Sequence, residues 1–269
     1  MAHAHVLLAH PERRSLNGAL FDASCDSLAA AGYSVSSSDL YGLDFDAREG
    51  PHHYRHADEL AAAGPERFDT QSWQREAAKS RTLAPHVRRE IDFLSQADLL
   101  VVHFPLWWFG PPAIFKGWMD RVFVYGEMYR SRMRYDAGRF RGRHMLACVT
   151  LGAPASFCGP DGREGNARMH LFPILYPFRY LGYNVLEPEL FFGIGSSDSR
   201  DHGAELGKAG APPDAASAAG AIVDHWRGVV TSLDARARVA FHADTDFDAA
   251  GRLRAGVPHL TPFIQRTET

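Results

Sequence analysis

The stretch ADLLVVHFPLWWFGPPAIFKGWMDRVFVYG, residues 97–126, joins an apolar run to a helical pattern through three adjacent large aromatic residues. Its first part, residues 97–104, is almost continuously apolar, which is typical of a strand at the centre of a parallel sheet. Pro111 and Pro112 follow, and proline is favoured at a helix start because its missing N–H would have no partner there. Apolar residues then recur at helical spacing over 114–123. The stretch therefore predicts a buried strand, a tight connection and a helix with one buried face.

The same alternation of strand and helix signals continues along the chain, from the N-cap candidate Ser15 onward. It predicts an α/β fold with a doubly wound, five-stranded parallel sheet. Residues 42–82 are polar and aperiodic, which predicts an inserted loop region in a domain spanning 1–235, and 236–269 read as an irregular C-terminal extension. The predicted strands are 5–10, 33–40, 97–104, 144–152 and 183–194, and the predicted helices begin at 15, near 87, at 111 and at 214.

The composition is that of a globular protein, and it argues against several other classes of protein. Hydrophobic residues make up 45% of the chain and charged residues 23%, so there is enough apolar material for a core. The net charge of −3 lacks the basic excess typical of nucleic-acid binding. The most apolar long segment, 97–115, contains a histidine and prolines, so no integral membrane segment is expected. Three cysteines without paired spacing and a start without a cationic leader predict a cytoplasmic location.

Three predicted loops follow the carboxyl ends of strands, where open α/β sheets bind ligands. They are HPERRSLN (10–17), PLWWFGPP (105–112) and TLGAPASFCGPDGREG (150–165). The first ends at a helix N-terminus, which favours an anion, with His10, Ser15 and Asn17 nearby. Simple helix capping is the alternative for Ser15 and Asn17. Neither GxGxxG nor GxxxxGK[ST] occurs, so the usual dinucleotide and P-loop motifs are not supported.

The second and third loops have unusual compositions. Trp107, Trp108 and Phe109 beside Gly110 could form a wall for a planar ligand, although a core cluster or a dimer interface would also use aromatic residues. The third loop is rich in glycine, which permits close backbone approach to a ligand or makes a flexible surface loop. The histidines of HHYRH (52–56) lie in a polar segment without cysteine or an evident carboxylate, so no metal site is expected.

Three motifs together resemble a known family: AHPERRSLN (9–17), FPLWWFGPPAIFKGWMDRVFVYG (104–126) and LGYNVLEPEL (181–190). They resemble the NAD(P)H:quinone oxidoreductases (diaphorases) of flavodoxin-like fold, which include bacterial drug-modulator-type quinone reductases. The resemblance runs from about residue 5 to 194. It implies tightly held FAD, NAD(P)H as co-substrate, a quinone or related aromatic acceptor, ping-pong hydride transfer, and a homodimer with the active site at the subunit interface.

The resemblance also implies roles for single residues. His10, Ser15, Leu16 and Asn17 fall where the family holds the FAD pyrophosphate. The isoalloxazine ring would contact Pro105, Leu106, Trp107, Trp108 and Phe109, and its pyrimidine edge would contact Thr150, Leu151 and Gly152. The substrate pocket would include Trp107, Phe109 and Tyr129, the last contributed by the partner subunit.

The third loop departs from the family pattern. It reads Thr150-Leu151-Gly152-Ala153 in place of Thr-Thr-Gly-Gly, and Phe157 or Cys158 stands where a tyrosine is expected. Arg163 replaces a histidine of the animal enzymes. Phe157 and Arg163 are therefore the catalytic candidates, with Arg163 supplying positive charge beside the flavin, and a solvated loop arginine is the alternative. A regulatory flavoprotein subunit, or a reductase of a non-quinone aromatic, remains the competing interpretation of the whole chain.

Overall fold

The computed structural model of the protein describes residues 1–55, 67–195 and 215–265. Its centre is one parallel sheet with the strand order β2-β1-β3-β4-β5 and with β6 also paired to β4. This order is the flavodoxin-like one, so the predicted doubly wound α/β fold is confirmed. The strands are β1 (His3–Leu8), β2 (Ser34–Asp39), β3 (Leu99–Pro105), β4 (His144–Thr150), β5 (Asn184–Val185) and β6 (Glu189–Phe191).

Helices cover both faces of the sheet and enclose two apolar clusters. One cluster includes Leu20, Val101 and Trp226 and lies under α1 and α6. The other includes Phe104 and Phe115 and lies under α3, α4 and α5. Because β3 contributes to both clusters, its side chains are buried on both faces, as its continuous apolar run predicts. The helices are α1 (Leu16–Ala30), α2 (Thr70–Ser80), α3 (Pro85–Gln96), α4 (Ala113–Val122), α5 (Ala167–Tyr180) and α6 (Ala215–Thr231).

Local sequence signals mark the ends of α1 and the start of α4. Ser15 is the N-cap of α1, and its Oγ accepts a hydrogen bond from the Gly18 amide at 3.3 Å. Gly32 follows the same helix with φ +90°, a conformation that glycine adopts without steric cost. Helix α4 begins directly after Pro112. The boundaries of both elements are therefore set by local chemistry that can be read from the sequence.

The fifth strand is divided, which corrects the single strand predicted for 183–194. Pro188 lies between β5 and β6 and has no amide to donate to a neighbouring strand. The C-terminal extension takes over part of the pairing: the Glu187 amide donates to Ala237 O at 2.8 Å and the Val239 amide to Val185 O at 2.9 Å. The extension therefore runs along the edge of the sheet beside β5.

Two helices do not follow from the sequence patterns. Helix α2 lies inside 42–82, so the loop prediction is wrong over 70–80. Only polar Gln74 and small Ala77 are buried there, and this leaves no apolar period to detect. Helix α5 contains Pro173 and Pro177, which normally argue against a helix because they remove hydrogen bonds. Residues 56–66 and 196–214 lie outside the described residues. His56 and the predicted start of the last helix, at residue 214, fall in these two segments.

A buried carboxylate joins four elements of the core. The Glu90 side chain of α3 is fully buried, and it accepts hydrogen bonds from Ser38 Oγ of β2 at 2.8 Å and from Trp118 Nε1 of α4 at 3.1 Å. His5 Nε2 of β1 lies 3.7 Å from Glu90 Oε2, the oxygen that accepts from Trp118. Burial by itself raises the pKa of the Glu90 carboxyl, but His5, Ser38 and Trp118 stabilise the charged form and hold that pKa below its ordinary value.

We expect Glu90→Gln to lower stability and to flatten its dependence on pH. A carboxyl whose pKa is depressed by folding contributes stability above its unfolded pKa, and this contribution is lost as the pH falls through the folded pKa. The free energy of unfolding should drop by about 1–3 kcal/mol at pH 7, because polar partners lose a charged acceptor. The loss should shrink below the ordinary pKa of 4.5. Denaturant unfolding across pH measures this, with exposed Glu76→Gln as the control, and a loss independent of pH would contradict it.

Candidate active site

The three predicted loops meet at the carboxyl edge of the sheet. They enclose a cavity of about 660 Å³, to which Ile194 and Gly195 also contribute. A smaller cavity of about 250 Å³ lies beside it, shares Leu106, Trp108 and Gly152, and adds Phe109 and Leu151. All residues predicted to hold the cofactor therefore line one of two neighbouring cavities. Those lining the larger one are His10, Ser15, Leu16, Asn17, Pro105, Leu106, Trp107, Trp108, Thr150 and Gly152.

The aromatic connection after β3 is a strained two-residue turn. The Trp107 amide donates to Gly110 O at 2.8 Å, and the Gly110 amide donates back to Trp107 O at 3.0 Å. The central residues Trp108 and Phe109 have φ of 51° and 60°, where glycine and asparagine are the usual residues. Bulky residues held there cost about 1–3 kcal/mol each. Trp108 is 96% exposed and Phe109 51%, so core packing does not explain this strain.

Asn17 connects the first loop to the third. Its side chain is 3% exposed, and its Nδ2 donates to Thr150 Oγ1 at 2.8 Å. Its Oδ1 is buried and has no hydrogen-bond partner among the described residues. Buried amide oxygens are nearly always hydrogen-bonded, so this atom indicates a donor that a ligand or ordered water would supply. The cavity wall thus fits a polar ligand that reaches the start of α1.

The start of α1 presents polar groups to the cavity. The first amides of a helix have no intrahelical partners, and together with the helix dipole they favour an anion. The His10 Nδ1 accepts a hydrogen bond from the Glu12 amide at 3.0 Å, and the ring centre lies 5.7 Å from that of Trp107. Burial lowers the pKa of His10, against smaller opposing effects of Glu12, so the ring is neutral at pH 7. Arg13 and Arg14 are paired with Asp22 and Glu12.

The third loop folds back on itself beyond Gly152. Its Glu164 amide donates to Phe157 O at 2.8 Å, and a Cβ at Gly162 would lie 2.3 Å from the same oxygen. Phe157 packs against the core. Arg163 is exposed on the outside of this turn, and neither residue lines the two cavities. The structure therefore does not bring the two catalytic candidates to the cavities of this subunit.

His170 belongs to the smaller cavity although the sequence analysis did not select it. Its Nε2 lies 2.8 Å from Glu164 O, and its ring centre lies 4.8 Å from that of Phe109. It is carried by α5, whose prolines conceal its helical pattern, so no periodic signal placed it near the site. Ile194 and Gly195 follow β6, and the loop after this strand was not among the three loops that the sequence analysis selected.

Tyr129 lies in a different place from the other predicted site residues. It lines a groove of about 900 Å³ between α2, α4 and α5, to which Phe263 of the C-terminal extension also contributes. We call this the aromatic groove. Its aromatic lining residues are Phe123, Tyr129, Tyr135, Phe172, Tyr176, Tyr180 and Phe263.

The structure places a carboxylate beside the adjacent histidines, which the sequence analysis did not anticipate. Ligand atoms of Asp46, His52 and His53 lie within 4.8 Å of one another. The Arg121 guanidinium is 2.8 Å from His53 Nε2, and Arg48 pairs with Asp46 at 3.1 Å. The two guanidinium groups therefore contact Asp46 and His53, and their positive charge opposes a cation at this position.

The sheet order and the cavity at its carboxyl edge define a flavodoxin-like protein, and comparison with known proteins specifies the family. A family model described as "Flavodoxin-like fold" matches residues 2–209. NAD(P)H dehydrogenase (quinone) 1 of Cavia porcellus is 36% identical over 196 residues, which cover 72% of this chain and 70% of that protein. Ribosyldihydronicotinamide dehydrogenase (quinone) of Homo sapiens is 34% identical over 202 residues, which cover 72% and 84%. The chain therefore belongs to the flavodoxin-like family of NAD(P)H:quinone oxidoreductases.

A solved structure shows the same fold over nearly the whole chain. It is that of a protein described as a candidate quinone reductase from Klebsiella pneumoniae, with 28% identity, a TM-score of 0.78 and coverage of 94% of each chain. Within the described residues, no helix is both long and apolar enough to span a membrane.

Replacing the strained turn with Trp108→Asn/Phe109→Gly should separate stability from ligand binding. Asparagine and glycine adopt left-handed φ at lower cost, so the apoprotein should gain about 1–3 kcal/mol of unfolding free energy. The same variant should lose bound flavin, because two of the three aromatic residues of the exposed wall are removed. Thermal unfolding of the apoprotein and absorbance of the purified protein measure the two effects. Trp108→Phe serves as the control, since it keeps an aromatic ring, and a variant that retains full flavin would contradict the assignment.

Proposed function

We propose that the protein is a flavin-dependent reductase that transfers two electrons from NAD(P)H to quinones or related aromatic acceptors, with FAD as the flavin. The strained, exposed aromatic turn over the start of α1 is the observation that supports this most directly. A planar ring requires a flat apolar wall, and a pyrophosphate requires free amides at a helix N-terminus. The names of the two relatives, both quinone dehydrogenases, agree with this proposal.

The residues of the chain supply binding and orientation. The overall reaction would be NAD(P)H plus a proton plus quinone giving NAD(P)⁺ plus hydroquinone. A bound flavin supplies the hydride acceptor and donor chemistry. Trp107 and Trp108 would hold the ring plane, Asn17 would direct its buried oxygen to a ligand donor, and the amides at Leu16 and Asn17 would face the phosphates. Because NAD(P)H and quinone would both need the open face of the same ring, they would bind in turn.

The arrangement of aromatic residues supports a homodimer. Tyr129 lies in the aromatic groove and not in the cavity of its own subunit. A partner would bring its own Tyr129 over the exposed Trp107 and Phe109 and so exclude water from the substrate position. Sedimentation velocity is expected to show a dimer at micromolar concentration. A fully active monomer would contradict this arrangement.

The catalytic role of Arg163 stays a prediction. A guanidinium group supplies positive charge, and such charge beside the pyrimidine edge would stabilise the negative charge that develops during hydride transfer. Since Arg163 is exposed and outside both cavities of its own subunit, this role would require the side chain to reach the site in the assembled dimer. Arg163→Ala should then slow reduction by NADPH by about 10²-fold in stopped-flow measurements. Arg168→Ala is the control, and equal rates in both variants would exclude the role.

The proposed function is tested by identifying the cofactor that the purified protein releases. Mass and absorbance should identify FAD, and anaerobic addition of NADPH should bleach the flavin with one equivalent per site. A simple quinone should then restore the colour within the dead time of mixing. A protein that takes up no flavin would contradict the proposal. A bound flavin that reacts slowly with every quinone would favour a regulatory subunit or a non-quinone acceptor.

A further inference from the structure

A second concave site lies between α2, α3 and the segment 125–139. It is a groove of about 900 Å³ that shares no lining residue with the cavities at the sheet edge or with the aromatic groove. We call it the basic groove. The chain has a net charge of −3, so this concentration of positive charge is local. Seven cationic side chains line it, together with the single carboxylate Glu127: Arg75, Lys79, Arg81, Arg88, Arg130, Arg132 and Arg139.

Contacts within the protein hold three of these arginines in place. Arg88 forms an ion pair with Glu127 at 2.7 Å, which neutralises the one carboxylate of the groove. Arg130 Nε donates to Gly126 O at 2.6 Å, and Arg139 donates to Glu127 O at 3.2 Å and to Ser95 Oγ at 3.1 Å. The main-chain acceptors do not carry a full charge. The groove therefore keeps a large excess of positive charge in a fixed arrangement.

Three further cations have no compensating group. Within the described residues, Lys79, Arg81 and Arg132 have no carboxylate within 4.0 Å and make no side-chain hydrogen bond. Like charges gathered in a concave surface repel one another, and the low-dielectric walls strengthen the field. A bound anion would relieve this repulsion.

Arg81 provides an independent indication that the charge is functional. It ends α2 in a left-handed conformation with φ 61°. Glycine is the usual residue at such helix ends, because a side chain there is sterically unfavourable. An arginine in a costly backbone conformation, without a partner for its side chain, indicates that the cation is needed at this position.

We propose that the basic groove binds a small anion that carries several phosphate groups, such as the polyphosphate chain of a nucleotide. Guanidinium groups match phosphate oxygens in pairs, and several of them at one site suit several phosphates more than a single carboxylate. Tyr125 lies in the same groove, where its ring faces Arg75 at 6.0 Å and offers an aromatic surface for a base. The groove shares no lining residue with the proposed flavin site of its own subunit. Its segment 125–139 also carries Tyr129, which the proposed dimer would bring to the flavin site of the other subunit.

The proposal is tested by calorimetric titration of the flavin-loaded protein with ATP and with inorganic tripolyphosphate. We expect saturable binding that weakens with salt, because exposed charges are screened. Lys79→Ala/Arg132→Ala should weaken binding by at least about tenfold, since each charged hydrogen bond contributes about that factor. Arg141→Ala/Arg252→Ala removes the same charge outside the groove and should change little. Tighter binding of ATP than of tripolyphosphate, lost in Tyr125→Ala, identifies a nucleotide, and equal binding identifies the phosphate chain alone.

Arg81→Gly gives a second readout that loss of folding cannot imitate. It should keep or raise the Tm, because the left-handed backbone is relaxed, and it should weaken binding of ATP and tripolyphosphate. The flavin content should stay unchanged, as the two sites share no residue. The proposal is overturned if neither anion binds saturably, or if the groove variants and the control variant lose affinity equally.

Discussion

The parallel pairing of β3 between β1 and β4 is the constraint on which the rest of the structure depends. In this register Leu8 of β1, His103 of β3 and Cys148 of β4 lie side by side, so the three strands end at nearly the same level. Each loop that leaves these ends must then enter the same space. Substitutions in these loops can therefore change the chemistry of the site without changing the position at which the loops meet. The buried hydrogen bond from Asn17 to Thr150 adds a direct connection between two of them.

The same sheet explains how the chain tolerates an unfavourable turn. Trp108 and Phe109 adopt positive φ in a connection whose two ends, β3 and α4, are buried deeply in the larger core. Each fully buried apolar side chain of β3 and α4 contributes about 1.5–3 kcal/mol, and together these side chains offset the cost of about 1–3 kcal/mol for each of the two strained residues. Such a turn is stable only because both neighbouring elements hold its ends.

Features of the structure that depend on neighbouring residues could be predicted from the sequence, whereas features that depend on distant contacts could not. The α/β fold, the cap at Ser15 and the residues around the larger cavity depend on neighbouring residues and on strand order, so they could be predicted. Helix α2 could not, because its buried face consists of Gln74 and Ala77 and shows no hydrophobic period. Helix α5 was hidden by Pro173 and Pro177, and with it His170. Arg163 faces outward because Phe157 and Gly162 make contacts that close a turn in the third loop. No sequence pattern in the loop predicts these contacts.

The hydrogen bonds between β5 and the C-terminal extension cover one edge of the sheet. Arg238 forms an isolated antiparallel β-bridge with Leu186. Backbone amides and carbonyls on the outer side of β5 therefore already have partners in the C-terminal extension. At the opposite side, β2 presents a strand with the sequence SVSSSD, whose short polar side chains and terminal carboxylate are unfavourable for stacking against another sheet. The edge beside β5 is covered by the chain itself, so the ordered growth of one sheet into the next, as in fibrils, is blocked on that side.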